Sequence, residues 1–153
     1  MDTTERTTYD TKAILMLRVA AVLWVVWGLV HVLAGAMTIS KEASPAISAI
    51  ADAVDPEAFE EEYAPAVGAL VNQHGFNLLW IGAFTTACAP FVWKGSETAV
   101  FFAPVVAGLT DLGYFLFMDL GGYVHFVPGT VMTLICLAGV LLSIAATAWG
   151  RRA

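Results

Sequence analysis

The sequence predicts an all-α protein, a four-transmembrane-helix bundle with a short helical acidic loop between the first and second spans. Three observations predict it. Four apolar runs, at about residues 13–39, 65–93, 98–120 and 127–150, each reach the ~20 residues that carry a helix across ~30 Å of hydrocarbon at 1.5 Å per residue. Hydrophobic residues make up 59% of the chain and charged residues 13%, with a mean hydropathy of +0.75, far from the balance of a soluble domain. The few charges gather at the two ends and in one block between residues 41 and 62. The length fits a single integral membrane domain, 1–153. The net charge of −6 comes with no basic patch, so nucleic acid is excluded as a partner.

Residues 1–12 are polar and read as a short tail. In the first span Ala34-Gly35-Ala36 has the small-x-small pattern of a signal-peptidase site. The length of the apolar run, and Asp2, Glu5 and Asp10 before it, argue for a retained helix. At 100° per residue Ala21, Trp24, Gly28, His31 and Gly35 share a face. Small residues there let a neighbouring helix approach, so His31 is expected to point into the bundle. Arg18, a turn or so inside the first span, can snorkel its charge to the surface.

Residues 40–64 hold Glu42, Asp52, Asp55, Glu57, Glu60, Glu61 and Glu62 against Lys41. Asp55-Pro56-Glu57 suits a helix start, with Asp as cap and Pro in the first turn. Ile47, Ile50 and Val54 form a weak apolar stripe. Two short surface helices, partly roofing the bundle, are expected. The acidic spacing matches no calcium loop and reads as a solvated face.

The second run contains Asn72-Gln73-His74-Gly75-Phe76-Asn77, four hydrogen-bonding side chains in an apolar setting, costly in hydrocarbon unless partnered. Gln73, His74, Asn77, Ile81, Phe84 and Cys88 share a stripe that we expect to face inward, with Asn72 turned away. Lys94-Gly95-Ser96-Glu97 makes the next turn. In the third run Pro104, Ala107, Gly108, Asp111, Phe115 and Met118 share a face; Pro104 predicts a kink, and Asp119 should be solvated at the exit. Gly121-Gly122-Tyr123 turns the chain. Pro128 and Gly129 open the fourth run, whose Gly129, Cys136, Gly139, Ser143 and Thr147 make a small-residue face. Cys88 and Cys136 lie at different depths, so packing roles are expected and a disulfide is not.

Arg6, Lys12, Arg18, Lys94, Arg151 and Arg152 fall on one side of this layout and Lys41 on the other. The positive-inside rule then places both termini in the cytoplasm of a multi-pass cell-membrane protein, with the acidic loop outside. His31, His74 and Asp111 come to similar depths, ~5–13 Å below the outer surface, and His125 lies at that surface. Intramembrane ionisable groups point to function. His31, Gln73, His74, Asn77, Asp111 and His125 are therefore the candidate pocket, with direct pairing of His74 and Asp111 expected. The competing explanation is purely structural: His and Asp can bond each other, Tyr114 or a carbonyl and lock the helices together.

Three kinds of site suit these residue types. A bis-histidine haem b needs two facing His, which His31 and His74 supply. A metal centre on His31, His74 and Asp111 has suitable ligand types but no tight motif. A pocket for a lipid, sterol or quinone-like molecule fits four helices, aromatic lining and a few oriented polar groups best. Residue types alone do not decide between a ligand-binding or accessory protein and an enzyme with His74 and Asp111 as base and acid. They leave cofactor and metal unassigned. The lipid bilayer, a lipophilic small molecule, and a homo-oligomer or larger membrane complex are the partners this class implies.

Arg18 followed by Gly28 and His31 in an apolar helix resembles the DoxX-like group of small four-helix membrane proteins. The likeness covers the four-span layout and about twenty residues of the first span. It implies a redox or quinone-dependent role through membrane complexes and carries over no catalytic residue. The long acidic connection departs from that group's pattern.

Overall fold

Local chemistry sets the ends of each helix. The computed structural model describes residues 9–51 and 54–150; Arg6, Asp52, Arg151, Arg152 and the side chain of Ile50 lie outside the described set. Helix α1 (Thr11–Ile39) starts at Asp10, whose carboxylate accepts the Ala13 N–H at 2.7 Å and satisfies one of the open donors of the first turn. Helix α2 (Ala43–Ala51) and a single tight turn (Pro56–Phe59) make up the acidic connection. Helix α3 (Pro65–Trp93) opens on a proline, where no N–H is required. Gly95, at φ +75°, turns the chain into α4 (Glu97–Tyr114), a left-handed conformation that glycine adopts without a Cβ clash.

Beyond Tyr114 the helix widens by a turn over Phe115–Asp119, and a similar wide turn, Phe126–Thr130, leads into α5 (Val131–Gly150). With these extensions four helices are long and apolar enough to cross a membrane: Thr11–Ile39, Pro65–Trp93, Glu97–Asp119 and Phe126–Gly150. Large apolar side chains such as Leu15, Leu29, Leu70, Phe101, Leu109 and Leu141 face outward. That surface suits hydrocarbon and not water. The predicted four-helix membrane fold, with a short helix after the first span, is what forms.

Helix α1 packs against α3 and α5, and α4 closes the bundle against the same two. The α1–α3 seam depends on glycine. A Cβ on Gly35 would lie 2.5 Å from the Gly75 carbonyl oxygen, and one on Gly82 would lie 2.5 Å from that of Gly28. The two glycine pairs share one antiparallel register, so backbone meets backbone over two turns. On the other side the Trp24 indole packs on Gly139 of α5. The predicted inward faces of α1 and α5 both hold.

Two local expectations do not. The packed face of α3 is Gly75, Leu78, Gly82, Thr85, Ala89 and Val92, about a quarter-turn from the stripe through Gln73 and Asn77. Close approach of two backbones selected the small residues, and the polar side chains were left to the flank. Asp55 makes no side-chain cap, and only one turn follows it.

The acidic connection and the α4–α5 loop meet at one end of the bundle, where the Val54 N–H donates to the Tyr123 carbonyl at 3.3 Å. At the opposite end the Arg18 guanidinium lies over the Trp93 ring, 5.3 Å from its centroid.

Candidate functional site

Trp27 and His31 are four residues apart on α1, so they lie one above the other. Their rings stack at 3.7 Å between centroids and 24° between planes. His31 Nδ1 is 2.8 Å from the Trp27 carbonyl oxygen. A carbonyl only accepts, so Nδ1 carries the hydrogen and Nε2 is turned away from α1. Across the bundle, Asp111 reaches in from α4. Its Oδ1 accepts the Trp27 indole N–H at 3.1 Å, and His31 Nε2 lies 3.9 Å from the same oxygen. The residue is 5% exposed. Its Oδ2 is buried and takes no hydrogen bond, although the Cys136 thiol of α5 lies close to the carboxyl.

Asp111 and His31 border a cavity of about 540 Å³ at the acidic end of the bundle, a volume usual for a small-molecule site. His74, Thr110 and Tyr114 add polar groups to its wall; Leu78, Met118 and Met132 are among the apolar ones. Leu33, Met37 and Phe117 also line it and are 60%, 42% and 73% exposed on the outside of the bundle. The cavity is thus continuous with the outward apolar surface.

Of the six residues singled out from sequence, His31, His74 and Asp111 meet at this cavity. Gln73 is exposed on the flank of α3, and His125 is exposed in the loop before α5. Asn77 accepts the indole N–H of Trp80 at 3.2 Å on an exposed surface. The expected pairing of His74 with Asp111 is replaced: the carboxylate is held by Trp27 and approached by His31, while the exposed His74 lines another wall. The rotation of α3 accounts for this, because His74 sits at the border between its packed face and its polar flank. Among the described residues no three His, Cys, Asp or Glu side chains converge as metal ligands.

No protein-family model, curated protein or solved structure matches the chain. The site must therefore be read from its own chemistry.

Sequence reasoning passed over two contributors. Trp27 was signalled only by standing four residues before His31. Asp119, expected to be solvated, accepts the hydroxyls of Thr130 at 2.6 Å and Thr133 at 2.9 Å. It fastens the wide turn after α4 to the start of α5, beside the cavity wall at Met118, Gly129 and Met132. Thr130 and Thr133, one turn apart at the head of the fourth run, were the signal for it.

Proposed function

We propose that this is a small integral protein of the cell membrane that binds a lipophilic molecule in the cavity between α1, α3, α4 and α5. The supporting observation is the cavity of about 540 Å³, in which His31, His74 and Asp111 set a few polar groups in a mostly apolar wall. The mostly apolar wall suits the rest of such a molecule, and the exposed rim of Leu33, Met37 and Phe117 lets it arrive sideways from the bilayer.

Lys12, Arg18 and Lys94 lie at the end opposite the acidic connection, which supports cytoplasmic termini and a cavity in the outer half of the membrane. Kinship with the DoxX-like group belongs to this proposal and rests on Arg18, Gly28, His31 and the four-span layout. A second reading, an enzyme or redox protein acting on a lipid-soluble substrate, draws on the His31–Asp111 approach of 3.9 Å, a base and an acid facing one cavity.

Extraction and mass spectrometry of molecules retained by the detergent-purified protein test the main reading. A defined lipophilic species should accompany the wild type and be lost from Met132→Trp, which fills the cavity. An identical profile in both would leave Asp111 a structural link between helices and nothing more.

A further inference from the structure

Helix α3 carries two seams on opposite sides. Gly75 and Gly82, seven residues apart, lie on the side that α1 covers. On the other side Gln73, Asn77, Trp80, Phe84, Ala87 and Phe91 follow one another at alternating steps of four and three residues. That period of 3.5 keeps one line of a helix turned toward a partner helix. Among the described residues no helix covers this second seam. Trp80, Phe84 and Phe91 are 44%, 37% and 56% exposed, and Gln73 and Ala87 are exposed as well. Helix α2 approaches α3 at Gly68, off the seam.

We propose that a second copy of this chain docks on the open seam, α3 against α3, about a twofold axis along the membrane normal. Two residues of the seam are amides within the span. Asn77 stands twelve residues beyond Pro65 in a helix of 29, which puts it roughly 10 Å inside a ~30 Å hydrocarbon layer centred on that helix. Its oxygen accepts the Trp80 N–H at 3.2 Å, which leaves the NH2 to a partner. Gln73, one turn nearer the acidic end, presents an exposed carboxamide. Acyl chains offer neither donor nor acceptor, so an amide at this depth gains by meeting another polar group. Every copy of a membrane protein inserts in one orientation, so two α3 helices that meet along this seam run parallel and in register. Gln73 then meets Gln73 of the second copy, and Asn77 meets Asn77. A carboxamide both donates and accepts, so two identical amides satisfy each other, as two identical acids or bases do not. Twofold symmetry supplies the matching amide at the matching depth, and this selects a second copy over an unrelated helix. Polar residues on such a seam also fix its register. The small Ala87 lets the two helices approach between Phe84 and Phe91.

The test uses the full chain, labelled with a single fluorophore per copy, in phosphatidylcholine vesicles over a range of protein-to-lipid ratios. Single-molecule photobleaching counts the copies. The wild type should pass from dimer to monomer on dilution. Gln73→Leu combined with Asn77→Leu should move that transition to a protein-to-lipid ratio about tenfold higher or more, as expected for amide hydrogen bonds between membrane helices. Both substitutions lie outside the packed face of α3, so helicity and the thermal midpoint of the monomer should match the wild type. Oxidative cross-linking in the same vesicles locates the surface without removing either amide. In a Cys88→Ser background, with Cys136 buried, Ala87→Cys should yield a disulfide-linked dimer. Leu109→Cys, on the outward face of α4, should not. A wild type that is monomeric at every ratio would overturn the proposal and leave the seam to lipid or to a different protein. A dimer whose transition is unmoved by the two leucine substitutions would overturn it too, as would a dimer that cross-links through Leu109→Cys and not through Ala87→Cys. None of these outcomes involves a ligand in the cavity, so the dimer and the cavity reading stand or fall separately.

Discussion

An indole N–H donates and does nothing else. Trp27 therefore has one polar contact to make from inside the bundle, and Asp111 Oδ1 receives it at 3.1 Å. That bond orients the carboxylate at the edge of the cavity. The stacked His31 is held in turn by the Trp27 carbonyl, so one residue positions both partners. Trp27→Phe keeps most of the packing and removes the donor. It should lower unfolding stability in detergent by about 0.5–2 kcal/mol, the range for hydrogen bonds between membrane helices. Retention of lipophilic ligand should fall with it, because the carboxylate is no longer oriented. Coupling should follow the same contacts. In a double-mutant cycle of chemical unfolding, His31→Ala and Asp111→Ala should be non-additive. His74→Ala and Asp111→Ala should add within error, and strong coupling between those two would contradict the contacts described above.

At the scale of the helices, the glycine seam and the Asp119 clasp shape the cavity from two sides. Gly28 and Gly35 of α1 meet Gly82 and Gly75 of α3 backbone to backbone. This brings α1 close to α3 and sets how far α3 rotates. Gly35→Leu has no flexible side chain to displace, since a Cβ there meets the Gly75 carbonyl and the Leu79 backbone. A loss of at least about 1–3 kcal/mol is expected, the usual cost of overpacking, measurable as a lower midpoint in thermal unfolding. Gly113→Ala, where a Cβ meets nothing within 4 Å, is the control and should be close to neutral. On the opposite side Asp119 joins the end of the third span to the start of the fourth through Thr130 and Thr133. Asp119→Ala should cost about 1–2 kcal/mol and raise protease cleavage between residues 119 and 126. Unchanged proteolysis would show that the loop is held by other contacts.

For the whole molecule, orientation decides which face of the membrane the cavity serves. With the termini in the cytoplasm, Glu61→Cys should react with a membrane-impermeant maleimide on intact cells, and Ser96→Cys only after permeabilisation. The reverse pattern would move the cavity to the cytoplasmic half. The four spans, their limits, the turns at Gly95 and Gly122 and the inward faces of α1 and α5 were legible in the sequence. Each follows from short-range physics: hydropathy sustained over one bilayer thickness, glycine at positive φ, and small residues recurring at helical spacing. That His31, His74 and Asp111 belong together followed from counting residues to a common depth. Which of them touch was decided only in three dimensions. Depth locates a residue along a helix axis, whereas contact depends on rotation about that axis and on which helices become neighbours. The glycines of α1 and α3 set that rotation: they turned Gln73 and Asn77 to the flank, left His74 at the border, and allowed Trp27 and His31 to reach Asp111.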